Sequence, residues 1–141
     1  MTALPTEILL LGVLALMAAS LWIPYIIGVN TAPDGALPDG APDGFVIPAN
    51  AALQRPWVHR AYRAHLNMLE QSVPFALLVL LVDRADGFSA LTLWTTAAFL
   101  VIRTAHAAGY ISGMARFPMR PLIFTAGWVC CLLMGWALFT A

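Results

Sequence analysis

Four apolar stretches follow one another along this chain, over residues 4–27, 57–82, 88–111 and 118–140. At 1.5 Å per residue each is about long enough to cross a bilayer as a helix. The pattern predicts an all-α, integral membrane four-helix bundle in a single domain over residues 1–141. A long connection over residues 28–56 and two short ones join the helices. Pro24 should bend or end the first helix, and Glu7 sits in its first turn, where a carboxylate favours the helix N-terminus.

The second stretch breaks the apolar pattern. It opens Arg60-Ala-Tyr-Arg63-Ala-His-Leu-Asn67-Met-Leu-Glu70 and is greasy on its other faces. At about 100° per residue, Arg60, Arg63, Asn67 and Glu70 fall within about 80° of one another. Arg60 and Arg63 lie near a helix end and can snorkel to the headgroups. Glu70 lies deeper, where a carboxylate costs about 2.5 kcal/mol or more unless it is paired or wet. Pro74 removes the N–H that would bond the Glu70 carbonyl, so this turn is a polar pocket to be filled by water, an arginine or a ligand. His65 falls about 140° from Arg60 and reads as a structural, hydrogen-bonded group.

The third stretch supplies a counterpart. Arg103, His106 and Tyr110 share a face within about 60°, and Glu70 is the expected partner of the Arg103 charge. A buried ion pair that only fixes helix register is the plain reading of this seam. Ionisable residues inside a membrane nevertheless mark functional sites by default. Arg116 and Arg120 flank the third connection and give that end a cationic mouth suited to an anion.

Composition agrees with a membrane protein: 61% of residues are hydrophobic and 10% charged, against roughly a quarter charged in soluble domains. The zero net charge points neither to nucleic acid nor to a polybasic anchor. All seven basic residues are arginine, and five of them (Arg55, Arg60, Arg63, Arg116 and Arg120) flank the first and third connections. The positive-inside rule then puts those two loops in the cytoplasm and both termini on the other side. The opening Met-Thr-Ala-Leu-Pro-Thr-Glu has no basic region and does not read as a cleavable signal peptide. Pro-Asp-Gly recurs at 33–35, 38–40 and 42–44, a run of tight turns rather than a calcium loop, whose spacing it lacks. The apolar Phe45-Val-Ile-Pro48 that follows is expected to dip back against the bundle. Cys130-Cys131 lies among apolar residues without metal or redox spacing, and no metal site is expected.

With these residues assembled, the chain resembles the MAPEG superfamily, the membrane-associated proteins in eicosanoid and glutathione metabolism. The likeness rests on Arg63-Ala-His-x-Asn67-x-x-Glu70-x-x-x-Pro74-Phe75, then Arg103-x-x-His106-x-x-x-Tyr110, then Arg116, Pro118 and Arg120. It implies a homotrimer with intersubunit glutathione sites open to the cytoplasm. Arg63, Asn67, Glu70, Arg103, His106 and Tyr110 would hold glutathione as co-substrate, and Arg120 would be catalytic, beside the sulfur. A nearby cation raises the thiolate fraction, and the thiolate would attack a lipophilic electrophile or lipid hydroperoxide arriving from the membrane. The chain departs from glutathione-using members at residues 24–30, which lack a basic residue, and at Leu66, where an arginine is common. Those departures keep open a non-catalytic relative that binds a lipid or other amphiphile in the same cleft. A small multidrug exporter, with its essential glutamate in the first helix, fits less well, since Glu70 is in the second.

Overall fold

The computed structural model describes residues 4–31 and 55–141. The Pro-Asp-Gly turns, the Phe45–Pro48 run and the first three residues lie outside the described residues. Among the described residues five helical segments form four rods: α1 (Thr6–Ser20), α2 (Ile23–Asn30), α3 (Pro56–Arg84), α4 (Ala90–Ser112) and α5 (Met119–Phe139). The expected boundaries of the last three rods hold to within two residues. The first rod differs, being two segments with a turn at Leu21–Trp22, and Pro24 stands in the first turn of α2. A proline there has no helical hydrogen bond to break, so the chain restarts rather than kinks.

Three rods are long and apolar enough to span a membrane: residues Thr6–Asn30, Pro56–Arg84 and Met119–Phe139. The rod α4 was also expected to be apolar, yet it is diluted by four threonines, Arg103 and His106. It is long enough nonetheless, at about 35 Å. The structure turns most of those polar groups inward: Thr92, Thr95, Thr96, Arg103 and His106 are all buried. The outward faces carry Trp94, Val101, Leu132 and Trp136, which suits a lipid-facing surface.

The helix α3 packs against all four other segments and so forms the spine of the bundle. Phe75 of α3 and Phe99 of α4 stack with ring centroids 3.8 Å apart, both fully buried. Met68, Val79, Val82 and Met134 complete the apolar layer. Lipid is as apolar as these side chains, so their contribution is close packing rather than removal from water.

Polar bonds fix both ends. Ser89 and Thr92 form a capping box at the start of α4, which satisfies two backbone donors. Thr92 Oγ1 also lies 3.0 Å from the buried Glu7 Oε1 and ties α1 to α4. At the other end Arg55 donates to the Gly28 carbonyl (2.7 Å) and the Thr31 carbonyl (3.0 Å), where α2 leaves its last carbonyls unbonded. Arg60 was expected to reach for the headgroups. It instead donates from Nε to the Ile111 carbonyl at 3.2 Å and packs over Gly113. Gly113 has φ +81°, a left-handed cap that an L side chain resists. Arg60 thus uses the C-terminal carbonyls of α4, which attract a cation.

The Glu7–Thr92 bond should be measurable. Thr92→Val leaves the Glu7 carboxylate without its donor and is expected to cost about 1–3 kcal/mol, read as a lower Tm in detergent. Adding Glu7→Leu should recover the part due to the stranded charge, while the capping-box bond from Ser89 stays lost.

Candidate functional site

A cavity of about 740 Å³ opens where α3 and α5 begin and α4 ends, within the size range of small-molecule sites. Arg63, Asn67 and Glu70 reach it from α3, spaced so that they lie on one face. His106 comes from α4, and Ala115, Arg116 and Phe117 from the α4–α5 connection. Arg120, Pro121, Phe124 and Thr125 come from the first turns of α5. The lining thus holds three arginines against one carboxylate, with apolar walls from Phe117, Pro121 and Phe124. Such a site favours an anion that also carries one cationic group.

Five of the seven site residues expected from the sequence line this cavity: Arg63, Asn67, Glu70, His106 and Arg120. Arg103 and Tyr110 do not. Arg103 is fully buried behind the wall. Its expected partner, Glu70, is exposed on the surface of α3, and neither hydrogen bond of Arg103 goes to a carboxylate. Arg103 Nη1 donates to Gln71 Oε1 at 3.1 Å, and Nη2 donates to the Asn67 backbone carbonyl at 2.5 Å. The reason is rotational. Gln71 lies four residues after Asn67 and points with it into the bundle, whereas Glu70 is turned about 100° away.

Tyr110 is buried beneath the mouth and serves as a platform. The Arg120 guanidinium lies 4.5 Å from the centre of its ring, a cation–π contact that restrains an otherwise exposed side chain. His106 tilts against Tyr110 at 5.7 Å and Phe124 at 6.2 Å. Its Nδ1 is buried without a hydrogen-bond partner, and a buried polar atom of that kind calls for water or a ligand. His65 was expected to be hydrogen-bonded, but its Nδ1 is likewise buried and unpartnered.

Sequence reasoning missed Gln71, Phe124 and Thr125. Gln71 could have been found from its i+4 spacing to Asn67, which puts two amides on one face. Thr125, the sole hydroxyl residue lining the cavity among the described residues, stands four residues after Pro121 on the same face of α5. Cys130 and Cys131 are free thiols, buried and half-buried in α5, and neither lines the cavity.

The pairing of Arg103 sets an expectation for stability. Glu70→Gln should leave the Tm within about 2 °C of the parent, because Arg103 keeps both of its acceptors. Arg103→Met should lower it by several degrees, since it leaves the Gln71 amide oxygen without its donor at a buried position. Thermal unfolding of the two variants in one detergent checks both.

Comparison with known proteins places the chain. No match was found among curated proteins or among solved structures. The sequence model of the MAPEG family matches residues 9–140, nearly the whole chain. That span contains every residue of the cavity and of the Arg103 cluster, and together with the apolar rods it shows that this integral membrane protein belongs to the MAPEG family.

Proposed function

We propose that the cavity binds glutathione and promotes attack by its thiolate on a lipophilic electrophile or a lipid hydroperoxide. The observation that carries this reading is the charge balance of the lining, three arginines and one carboxylate. Glutathione presents two carboxylates, one ammonium group and a thiol. Glu70 suits the ammonium group, while Arg63 and Arg116 suit the carboxylates, which arginine binds in a fork geometry. Arg120, restrained over Tyr110, is left for the sulfur.

In this reading Arg120 holds the thiolate by charge and so raises its fraction at neutral pH. The Thr125 hydroxyl is a second donor for the same sulfur. The proton leaves to solvent at the mouth. In a transfer reaction the sulfur forms a bond to the electrophilic carbon, and the displaced electron pair goes to the leaving group or the opened ring. With a hydroperoxide the sulfur attacks the terminal oxygen and the O–O bond breaks, oxidising the thiol and reducing the peroxide to an alcohol. Phe117, Pro121 and Phe124 offer an apolar approach for the lipid part of either substrate.

The same reading includes a homotrimer. Glu70 is exposed at the middle of the membrane-spanning α3, beside exposed Leu69, Val73 and Leu77. Left against lipid, that carboxylate would cost several kcal/mol, so a neighbouring copy of the chain is proposed to cover it and close the cavity. The arginines clustered at the cavity end support a cytoplasmic position for that end, with both termini opposite.

A second reading, a non-catalytic protein that holds an anionic amphiphile in this cleft, has one observation in its favour. No residue of α1 or α2 lines the cavity among the described residues, so the lining includes no cation from that side. The two readings separate on turnover.

Titrating glutathione calorimetrically into the folded, detergent-purified protein should give saturable binding at millimolar concentrations, lost in Arg63→Ala. Arg120→Ala should lower turnover about 100-fold, the scale of a lost transition-state charge contact, while changing glutathione affinity by less than about threefold. Equal losses in both would remove Arg120 from the thiolate. Binding without turnover on any electrophile or hydroperoxide tried would favour the second reading.

A further inference from the structure

The cluster behind the cavity wall contains a residue whose role neither the family match nor the lining explains. Gln71 is buried at the meeting point of three helices. Its Oε1 accepts from Arg103 Nη1 of α4 at 3.1 Å, and its Nε2 donates to the Phe124 carbonyl of α5 at 3.0 Å. Gly127 makes the room: a Cβ at that position would collide with Gln71 Oε1. Arg103 completes the link by donating to the Asn67 carbonyl of α3. Asn67 and Phe124 are both walls of the cavity, and His106, one turn on from Arg103, is a third.

An amide has a property here that a carboxylate lacks. It gives the guanidinium one acceptor at Nη1 and leaves its charge intact, while Arg103 Nε stays buried without a partner. A buried cation hydrogen-bonded only to neutral acceptors, with the exposed Glu70 carboxylate acting on it without a hydrogen bond, keeps a field that a low-dielectric surrounding screens weakly. We propose that Gln71 is a positioning residue of the site: it locks Arg103 between α3, α4 and α5 without neutralising it, so that the cation behind the wall adds to the three arginines that face an anionic ligand. This rests on the reading of the cavity as an anion site, and for glutathione itself on the proposed function.

Two substitutions separate the charge role from simple packing. Gln71→Glu keeps the size and the acceptor for Arg103, pairs the Arg103 charge and loses the donor to the Phe124 carbonyl. Gln71→Met keeps the approximate size, loses both hydrogen bonds and leaves the charge unpaired. Affinity is measured by calorimetry for glutathione and, independently, for inorganic sulfate, with Tm as the control for folding.

If the amide serves the field of the site, anion affinity falls in the order parent, Met, Glu. The Glu variant should bind both anions about tenfold more weakly while remaining folded. If Gln71 only packs the bundle, the Met variant is the worse binder and the Glu variant lies near the parent, and the proposal is overturned. Where the Gln71→Glu chain cannot be recovered folded, because its carboxylate faces the Phe124 carbonyl, the Met variant decides: anion affinity within about threefold of the parent upholds the proposal, and a loss of about tenfold or more overturns it. Sulfate binding with the expected order but no glutathione binding supports the role of Gln71 and removes glutathione as the ligand. Glutathione binding with the opposite order does the reverse. Absence of binding for both anions in the parent overturns both.

Discussion

A guanidinium with no exposed surface, in the middle of a membrane bundle, is the constraint on which the rest of this protein depends. Arg103 cannot be left without acceptors in that surrounding. The chain meets the requirement at Nη1 and Nη2 with a side-chain amide and a backbone carbonyl, both supplied by α3, and leaves Nε buried without a partner. The amide in turn needs a place for its own N–H, found at Phe124, and room for its oxygen, found at Gly127. One buried charge therefore dictates residues on three helices and sets where α5 can approach α3. The cavity walls are the other faces of these same residues, so its shape follows from how the charge is held.

The placement of the remaining charges follows a similar economy. Arg60 and Arg55 are each used on helix C-terminal carbonyls, and Arg120 is stacked on Tyr110. Glu70 stands apart, because nothing among the described residues covers it. In a helix that crosses lipid, an exposed carboxylate at mid-length is costly, and this is what supports the proposed assembly. It is also the group that a ligand's ammonium would seek. The reading of the site and the reading of the oligomer therefore converge on the same residue.

Much of this was legible in the sequence, and the exceptions have a common cause. The rods α3, α4 and α5 are visible as apolar runs with polar ends, and the Arg63/Asn67/Glu70 and Arg103/His106 faces follow from helical spacing alone. The break between α1 and α2 was foreshadowed by Pro24, whose place in a first turn rather than in a kink depends on where the helix restarts. The pairing of Arg103 with Glu70 was inferred from charge, since opposite charges at matching depth are the most visible signal. The actual acceptors are neutral. A glutamine beside a glutamate attracts little notice, and backbone carbonyls are invisible to any reading of side chains. Tyr110 was placed correctly on its face, yet a face does not reveal whether a residue lines a cavity or lies beneath its lining.

Those neutral acceptors also bear on how far family membership reaches. A carboxylate paired to Arg103 would make the cluster an inert strut, holding helices together with its charge cancelled. An amide makes it a strut that remains electrically active. Both side chains have nearly the same size and reach and differ in the donor that meets the Phe124 carbonyl, a difference to which a family match over the whole chain is insensitive. What differs is the field at the cavity wall. In a bundle with this few charges, an uncharged amide whose oxygen meets Arg103 and whose N–H meets Phe124 holds a cation in place where a carboxylate would cancel it.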